Sequence, residues 1–236
     1  MALENREMRE VSTECLMEIA EKDDRIVLMD ADLMKAAKGI PFREKYPDRT
    51  VDVGVAEANM IGVAAGLAAS GKIPFTHTFT PFATRRCFDQ VTISVAYSKL
   101  PVKMMGSDPG VSAELNGGTH MSMEDMGLMR NLPGMTIFEP VDSVQLRQAM
   151  PEIVKHEGPV YIRLFRKKTE SIFGDDYKFN WLKGDMVTDG SDVTIIASGI
   201  MMKESLEAAK ILAEDGISAR VVNIHTWKPI DREIIL

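Results

Sequence analysis

The sequence predicts an α/β fold built on a mostly parallel sheet with helices on both faces. Short apolar runs bounded by charged residues predict buried strands, and they alternate along the chain with stretches of helical periodicity. Polar residues directly follow several of these runs, at the strand ends where α/β folds place their ligands. A further strand–helix–strand pattern in residues 193–223 indicates the start of a second α/β domain.

Strands and helices alternate through the first 168 residues. Apolar stripes at helical spacing predict helices, and runs rich in β-branched residues predict strands. Pro81 suits the first turn of a helix, whereas Pro151 is expected to kink or end the helix that it enters. The predicted helices cover residues 5–22, 56–69, 81–97 and the stretch after the capping pair Asp142 and Gln145, and the predicted strands cover residues 26–30, 51–55, 73–79, 102–106, 135–139 and 160–164.

The chain divides into three predicted parts. Residues 1–168 form the first domain, residues 169–190 are an irregular, acidic linker that contains glycines, and residues 191–236 begin a second domain. Two strands are too few for an independent core, so the second domain is expected to be cut short. Its predicted elements are a strand over residues 193–197, a helix over 201–214 and a strand over 219–223.

The composition bounds the class of protein. Of the 236 residues, 45% are hydrophobic and 27% are charged, and the net charge of −7 argues against a nucleic-acid footprint. The longest uncharged apolar run is too short for a bilayer span of about 20 residues, and the N-terminus has no apolar secretion signal. Cys15 and Cys87 form no disulfide or zinc pattern. We therefore expect a cytoplasmic protein with neither a nucleic-acid nor a membrane partner.

Residues 51–70 place a carboxylate at a strand-to-helix junction. Glu57 begins a helix of small residues, on which Gly62 and Gly66 share a face that another backbone can approach closely. On the residues alone, Glu57 is either a charge that interacts with the helix macrodipole or a functional acid in low dielectric. Taken by itself, this stretch favours the macrodipole.

Other strand exits carry candidates that also have two readings. Phe79 and Phe82 lie on either side of a strand-to-helix corner. They are either core residues or a stacking surface for a planar heterocycle. His120 is the last residue of a long glycine-rich loop. It is either a cap on the surface or a group that faces a cleft. Asp32 belongs to a turn or to a site, and Arg166 to a solvated basic turn or to an anion site.

Five stretches together resemble one known family. They are VDVGVAEANMIGVAAGLA, FTHTFTPFATRRCFDQ, YSKLPVKMMGSDPGVSAELNGGTH, EDMGLMRNLPGMTIFEPVD and GPVYIRLFR, and they cover most of residues 5–170. In this order they resemble the pyrimidine-binding half of transketolases, and best of all the carboxyl-terminal subunit of split, two-chain transketolases. The resemblance implies a thiamine diphosphate-binding fold and transfer of a two-carbon ketol unit between sugars or sugar phosphates.

The resemblance also implies roles for individual residues. Thiamine diphosphate is the electron sink, and a carboxylate on its pyrimidine ring promotes removal of the thiazolium C2 proton. The matching acid is Glu57. The resemblance therefore favours a functional acid over a charge that only interacts with the helix macrodipole. The implied catalytic residues are Glu57 and His120; the implied cofactor-binding residues are Glu57, Phe79, Phe82 and Asp32; and the implied substrate-binding residues are His120, Asn116, Asp108, Arg166 and Arg9.

Three positions depart from the pattern of ordinary transketolases. Asp108 stands where a substrate-contacting histidine is common, Asn116 where an aspartate is common, and Ala36 where a phosphate-contacting serine is usual. Losing a charge-assisted contact changes binding by about 1.5–3 kcal/mol. The departures concern substrate recognition rather than cofactor activation, so we expect a variant ketose or sugar derivative as substrate.

A second polypeptide is implied as well. The family binds Mg²⁺ and diphosphate through a GDG motif followed later by Asn, and this sequence contains no such pattern. We therefore expect no metal ligands in this chain, an amino-terminal transketolase subunit as partner, and either a homodimer of this chain or a heterotetramer. The chain alone is expected to be inactive.

Three alternatives stay open. The same fold half occurs in the β subunit of 2-oxo acid dehydrogenases and in deoxyxylulose-phosphate synthase, which use related thiamine diphosphate chemistry. A non-catalytic α/β binding module is a second alternative, since fold does not imply function. A stand-alone nucleotide-binding domain is the third, and the lack of a P-loop or GxGxxG motif argues against it.

Overall fold

A computed structural model describes residues 6–236, apart from the side chain of Leu115. It confirms the α/β fold predicted from the sequence. The strands are β1 (Arg6–Glu7), β2 (Ile26–Asp30), β3 (Thr50–Asp52), β4 (Ile73–Phe79), β5 (Lys103–Ser107), β6 (Thr136–Phe138), β7 (Val160–Leu164), β8 (Lys168–Thr169), β9 (Asp185–Thr188), β10 (Val193–Ala197), β11 (Ala219–Asn223) and β12 (Thr226–Lys228).

Helices connect most of these strands. Within the described residues, none of the helices is both long enough and apolar enough to cross a membrane. They are α1 (Met8–Ala20), α2 (Ile40–Lys45), α3 (Glu57–Ala69), α4 (Thr80–Ala83), α5 (Phe88–Gln90), α6 (Asp125–Asn131), α7 (Ser143–Lys155), α8 (Met201–Glu214) and α9 (Arg232–Ile235), with a π-helical segment at Val91–Tyr97 and 3₁₀ turns at Pro47–Arg49, Arg85–Cys87 and Val111–Asn116.

The main sheet has seven strands in the order β12-β6-β7-β5-β4-β2-β3. Every neighbouring pair is parallel except β12 with β6, which is antiparallel. A smaller sheet has the order β10-β11-β9, and β1 pairs with β8 as a separate ribbon. The carboxyl ends of β2, β4, β5 and β7 therefore meet at one edge of the main sheet, where ligands bind in this class of fold.

Two apolar layers cover the main sheet. One face packs against α1 and α7 through residues such as Leu16, Phe75 and Leu146. The other face packs against α3 and the π-helical segment through residues such as Met60 and Met104. Each large apolar side chain buried in this way contributes about 1.5–3 kcal/mol to folding, so the two layers fix the sheet that positions the site.

Two predicted helices differ in the structure. The helix predicted over residues 81–97 is broken, because the Thr84 hydroxyl donates to the Thr80 carbonyl at 2.7 Å and the Cys87 thiol contacts the Phe82 carbonyl at 3.1 Å. The predicted helix does not end at Pro151, since α7 continues to Lys155. Pro151 lies on the exposed side of α7 while the opposite face is buried in the core, and this packing offsets the lost backbone hydrogen bond.

The segment after β7 is more structured than predicted. Residues 169–190 are mostly irregular, but Asp185–Thr188 forms β9 on the edge of the smaller sheet. Beyond β11 the chain returns to the main sheet as β12, which pairs with β6. The predicted elements at residues 193–197, 201–214 and 219–223 are confirmed as β10, α8 and β11. The first residue of the helix predicted over residues 5–22 lies outside the described residues.

Candidate functional site

The sequence-predicted candidates gather at the carboxyl edge of the main sheet. Asp32, Asp108 and Arg166 lie just beyond β2, β5 and β7, and Phe79 is the last residue of β4. Glu57 is the first residue of α3, directly after the short turn that follows β3. The parallel topology therefore brings together side chains from distant parts of the sequence.

Three rings form an aromatic wall in this cleft. Phe79 and Phe82 are buried, with ring centroids 6.1 Å apart in an edge-to-face arrangement. The His120 imidazole lies 5.2 Å from the Phe79 ring and 5.1 Å from the Phe82 ring, also edge to face. The Thr119 hydroxyl is 2.9 Å from His120 Nδ1 and helps to set the orientation of the imidazole. Such contacts hold the rings in place, since each favourable aromatic pair contributes about 0.5–1.5 kcal/mol beyond burial.

Glu57 is held by an arginine that the sequence reasoning missed. Arg86 Nη1 donates to Glu57 Oε1 at 2.7 Å, although the Glu57 side chain is 3% exposed and that of Arg86 is 44% exposed. The same guanidinium lies over the Phe82 ring, with its central carbon 3.6 Å from the ring centroid. Arg86 is therefore a planar hydrogen-bond donor that stacks on Phe82 and bonds to Glu57. Its position in a pair of adjacent arginines gave no signal beyond a solvated basic turn.

We expect Arg86→Gln to lower the free energy of unfolding by about 1–2 kcal/mol. The change leaves the buried Glu57 carboxylate without its charged partner, while the exposure of Arg86 keeps the cost below that of a fully buried pair. Denaturant unfolding of the purified chain measures the difference.

Arg85→Gln is the matched control. Arg85 has the same exposed fraction as Arg86, 44%, but its partner Glu124 is itself 37% exposed. Removing such a surface pair costs at most about 1 kcal/mol. Equal destabilisation by the two substitutions would contradict a specific role of Arg86 at Glu57.

A basic cavity of about 440 Å³ lies beside the aromatic wall. It adjoins the wall through Arg166, whose guanidinium carbon is 5.6 Å from the centroid of the Phe79 ring. The cavity is lined by Arg9, Asp32, Leu33, Lys35, Ala36, Lys38 and Arg166. Lys35 and Lys38 were not predicted from the sequence, because lysines that follow a strand usually mark a solvated turn.

Asp108 and Asn116 hold Arg166. Arg166 Nε lies 2.8 Å from Asp108 Oδ2, and Arg166 Nη2 donates to Asn116 Oδ1 at 2.9 Å. Asp108 is completely buried, and burial raises the pKa of its carboxyl while Arg166 and Arg9 oppose the rise. Asp108 and Asn116 therefore orient the guanidinium.

Arg9 is fixed from the opposite side of the cavity. Its Nη2 donates to Glu7 Oε2 at 2.7 Å, its Nη1 donates to the Ala36 carbonyl, and its buried Nε has no hydrogen-bond partner among the described residues. Lys38 forms ion pairs with Glu10 at 3.0 Å and with Glu7 at 3.6 Å. An unpaired buried donor beside a basic cavity is a feature that an anionic ligand would satisfy.

The two acids at the end of β2 behave differently. Asp30 is buried and accepts a hydrogen bond from the Leu33 amide, and burial raises its pKa to about 7. An aspartate that accepts a hydrogen bond from a backbone amide a few residues later is typical of a turn. Asp32 is exposed to the cavity, with a φ of 61° and its backbone amide donating to Asp52 Oδ1 at 3.0 Å. Behind them, burial lowers the pKa of His77 to about 3, so this imidazole is neutral.

The geometry thus has two adjoining parts. One is an aromatic wall with a buried carboxylate, and the other is a basic cavity suited to an anion. In the described part of the chain, no group of three or more His, Cys, Asp or Glu side chains is arranged to hold a metal ion.

Two family models match the chain. One is described as the transketolase pyrimidine binding domain and matches residues 4–171, and the other as the transketolase C-terminal domain and matches residues 182–236. Together they account for most of the chain.

Individual proteins give the same relationship. The chain is 59% identical to the 6-deoxy-6-sulfo-D-fructose transketolase subunit SqwH of Clostridium sp. (strain MSTE9), over 99% of this chain and 73% of that protein. It is 38% identical to an apulose-4-phosphate transketolase subunit of Actinobacillus succinogenes, over 89% of this chain and 68% of that protein. A solved split gene transketolase, an inactive β4 tetramer, superposes with a TM-score of 0.89 at 42% identity, covering 98% of this chain and 75% of that one.

Proposed function

Because the chain belongs to the transketolase family, whose members are thiamine diphosphate-dependent transferases, we propose that it supplies the pyrimidine-binding half of an active site shared with a second subunit. It is a transketolase subunit and so part of an enzyme that moves a two-carbon ketol unit between sugars. The observation that carries the proposal is the buried Glu57 carboxylate, which bonds to the same Arg86 guanidinium that stacks on the Phe82 ring.

The residues of the cleft fit the cofactor. An aminopyrimidine needs a ring to stack on and a carboxylate at its ring nitrogen. The Arg86 guanidinium, another planar donor, stacks on Phe82 and donates to Glu57, so both interactions are available in one place. When bound, thiamine diphosphate supplies a nucleophilic carbon and an electron sink. The role of Glu57 is to hold a proton at the pyrimidine nitrogen, and the roles of Phe79 and Phe82 are to orient the ring.

The other predicted residues divide between the two parts of the site. His120 lies against both phenylalanine rings, and it serves as the group that exchanges a proton with the substrate hydroxyls. Arg9 and Arg166 bind the anionic end of the sugar, and Asp108 and Asn116 position Arg166 for that contact. Asp32 lines the basic cavity, and its role is to contribute to cofactor binding from there.

Exposed apolar residues near the cleft support a second subunit. Val55, Val111 and Met123 are 72%, 68% and 66% exposed, and they lie in the segments that carry Glu57, Asn116 and His120. The Gly62 and Gly66 face of α3 is also exposed, and a Cβ on either glycine would meet no atom within 4 Å. A partner that covers this surface would close the cleft and contribute the diphosphate and Mg²⁺ ligands. We propose that the assembly is a heterotetramer of two copies of each subunit, in keeping with the closed symmetry of most oligomers.

We also propose a division of the chain that follows these roles. Residues 1–168 form the pyrimidine-binding domain, residues 169–190 the linker, and residues 191–236 belong to the C-terminal domain. The family matches at residues 4–171 and 182–236 support this division, although β12 pairs with a strand of the first sheet.

The substrate that the site favours is a ketose with an anionic end. The basic cavity adjoins the aromatic wall through Arg166, so an anion bound there lies next to the part of the cleft that we assign to the cofactor. The 59% identical relative is named for a sulfonated ketose, and the replacement of the usual serine by Ala36 removes a phosphate contact. We therefore propose 6-deoxy-6-sulfo-D-fructose as donor.

Reconstitution tests the proposed function. We expect the purified chain alone to give no ketol transfer with thiamine diphosphate and Mg²⁺, because it lacks half of the site. Adding an amino-terminal transketolase subunit that carries the GDG motif should restore transfer from the sulfonated ketose to an aldose. Hydroxypyruvate and pyruvate are compared as simple donors, since preference for pyruvate would indicate a deoxyxylulose-phosphate synthase or oxo acid dehydrogenase type. Full turnover by the isolated chain would contradict the shared site.

A further inference from the structure

The charges of the basic cavity are almost fully balanced. Its cations are Arg9, Lys35, Lys38 and Arg166. Neighbouring acids form ion pairs with three of these four cations. Glu7 lies 2.7 Å from Arg9, Glu10 lies 3.0 Å from Lys38, and Asp108 lies 2.8 Å from Arg166. No ion pair of Lys35 is found among the residues that the structure describes, and Asp32 lines the same cavity. The cavity is therefore cationic at its surface but close to neutral in sum.

Asp108 is the least expected of these acids. A carboxylate next to an anion-binding arginine weakens the binding of an anion, yet Asp108 is completely buried and its backbone has a φ of 58°, which is uncommon for a residue other than glycine. Its backbone amide donates to the Leu164 carbonyl at 3.1 Å, which fixes the carboxylate under Arg166. The groups that face Asp108 are Arg166, Arg9 and Glu7, so its negative charge acts directly on the two arginines.

We propose that Asp108 sets the cavity to accept a singly charged terminal group, a sulfonate, in preference to a doubly charged phosphate. This inference rests on the proposed function and specifies how the site reads its substrate. A sulfonate and a phosphate have similar tetrahedral shapes, so the three oxygens that contact the arginines do not separate them. Charge does separate them, because the phosphate monoester loses a second proton near pH 6 and the sulfonate carries one charge throughout. The negative charge of Asp108 offsets part of the positive charge of the two arginines. Less positive charge is then left to balance the second negative charge of a phosphate.

The experiment uses the reconstituted two-subunit enzyme and two donors, 6-deoxy-6-sulfo-D-fructose and fructose 6-phosphate. The ratio of their kcat/KM values is measured between pH 5.5 and pH 7.5, because enzyme groups that titrate and act equally on both donors cancel in the ratio. We expect the wild-type enzyme to prefer the sulfonate at pH 7.5. We also expect relative activity on the phosphate to rise about tenfold or more towards pH 5.5, where that group is mostly a monoanion.

Asp108→Asn removes the charge with little change of shape, and asparagine tolerates the same backbone conformation. We expect the phosphate-to-sulfonate ratio at pH 7.5 to rise about tenfold in this variant, with a flatter dependence on pH. Lys35→Gln is a second variant that does not disturb the buried pair, and it should shift the ratio the other way. Glu18→Gln on the exposed part of α1 makes the same change of net charge away from the cavity and should leave the ratio unchanged.

The outcomes are distinguishable. If both donors turn over and the ratio is the same in wild type, Asp108→Asn and Lys35→Gln at every pH, the charge-matching role of Asp108 is wrong while the transketolase function stands. If Asp108→Asn does not fold, an unchanged ratio in Lys35→Gln overturns the inference by itself. If neither donor is turned over by the wild-type complex, the proposed substrate class fails and the inference fails with it.

Discussion

Glu57→Gln is expected to lower the kcat of the reconstituted enzyme by about 10²–10³-fold. Glutamine keeps the size and the hydrogen bonding of the side chain, but it cannot exchange a proton, which general acid–base catalysis requires. The KM for the sugar should change only a few-fold, because Glu57 lies on the cofactor side of the cleft and not in the basic cavity. Steady-state kinetics at saturating thiamine diphosphate separates the two parameters.

Glu204→Gln is the matched control for this prediction. Glu204 also lies in the first turn of a helix, α8, but it is exposed and does not line the basic cavity. If both carboxylates act only through the helix macrodipole, each substitution costs less than about 1 kcal/mol of stability and leaves turnover nearly unchanged. A Glu57→Gln enzyme with wild-type kcat would show that Glu57 is a helix-start charge.

Arg163→Met is expected to have the largest effect on stability, a loss of about 3 kcal/mol. Arg163 Nε lies 2.7 Å from Asp125 Oδ2 and its Nη1 lies 2.5 Å from Glu139 Oε1, and both carboxylates are buried. Methionine fills a similar length but leaves two buried carboxylates without their cation. Glu139 also accepts from Trp227 Nε1 at 3.2 Å and from the Ser198 hydroxyl, so the change loosens the contact between the two sheets.

Arg25→Met controls for the loss of an arginine as such. Arg25 pairs with Asp23 at 2.7 Å, but its side chain is more than half exposed. We expect at most about 1 kcal/mol from this change, because surface ion pairs contribute little. Denaturant midpoints of the two variants are compared at the same protein concentration. A cost for Arg163→Met no larger than that for Arg25→Met would mean that water already reaches the Asp125 and Glu139 carboxylates.

The sequence predicted most of the fold, because its strands are short apolar runs with sharp polar ends. Residues 160–164 are such a run, and β7 occupies those residues in the structure. Residues 81–97 were less well predicted, since local side-chain hydrogen bonds from Thr84 and Cys87 outweigh helix propensity there. The pairing of β12 with β6 was also missed, because no local pattern shows which strand a distant edge strand joins.

The candidate site was predictable where a residue type is unusual for its position. Glu57 beside an apolar helix and His120 at the end of a glycine-rich loop are such positions, and their roles stay predictions until they are tested. The ion pairs of Arg86 with Glu57 and of Arg166 with Asp108 were not predictable, because each depends on the packing of separate elements. Individual site residues are therefore easier to predict from the sequence than the residues with which they pair.

We propose that this chain provides the acid that activates a cofactor held between two subunits. The most direct measurement is hydrogen–deuterium exchange at C2 of thiamine diphosphate in the reconstituted complex, for wild type and for Glu57→Gln, with bound cofactor quantified in both. We expect exchange to be at least about 100-fold slower in Glu57→Gln at equal cofactor occupancy. Equal exchange rates in the two proteins would show that Glu57 does not activate the cofactor.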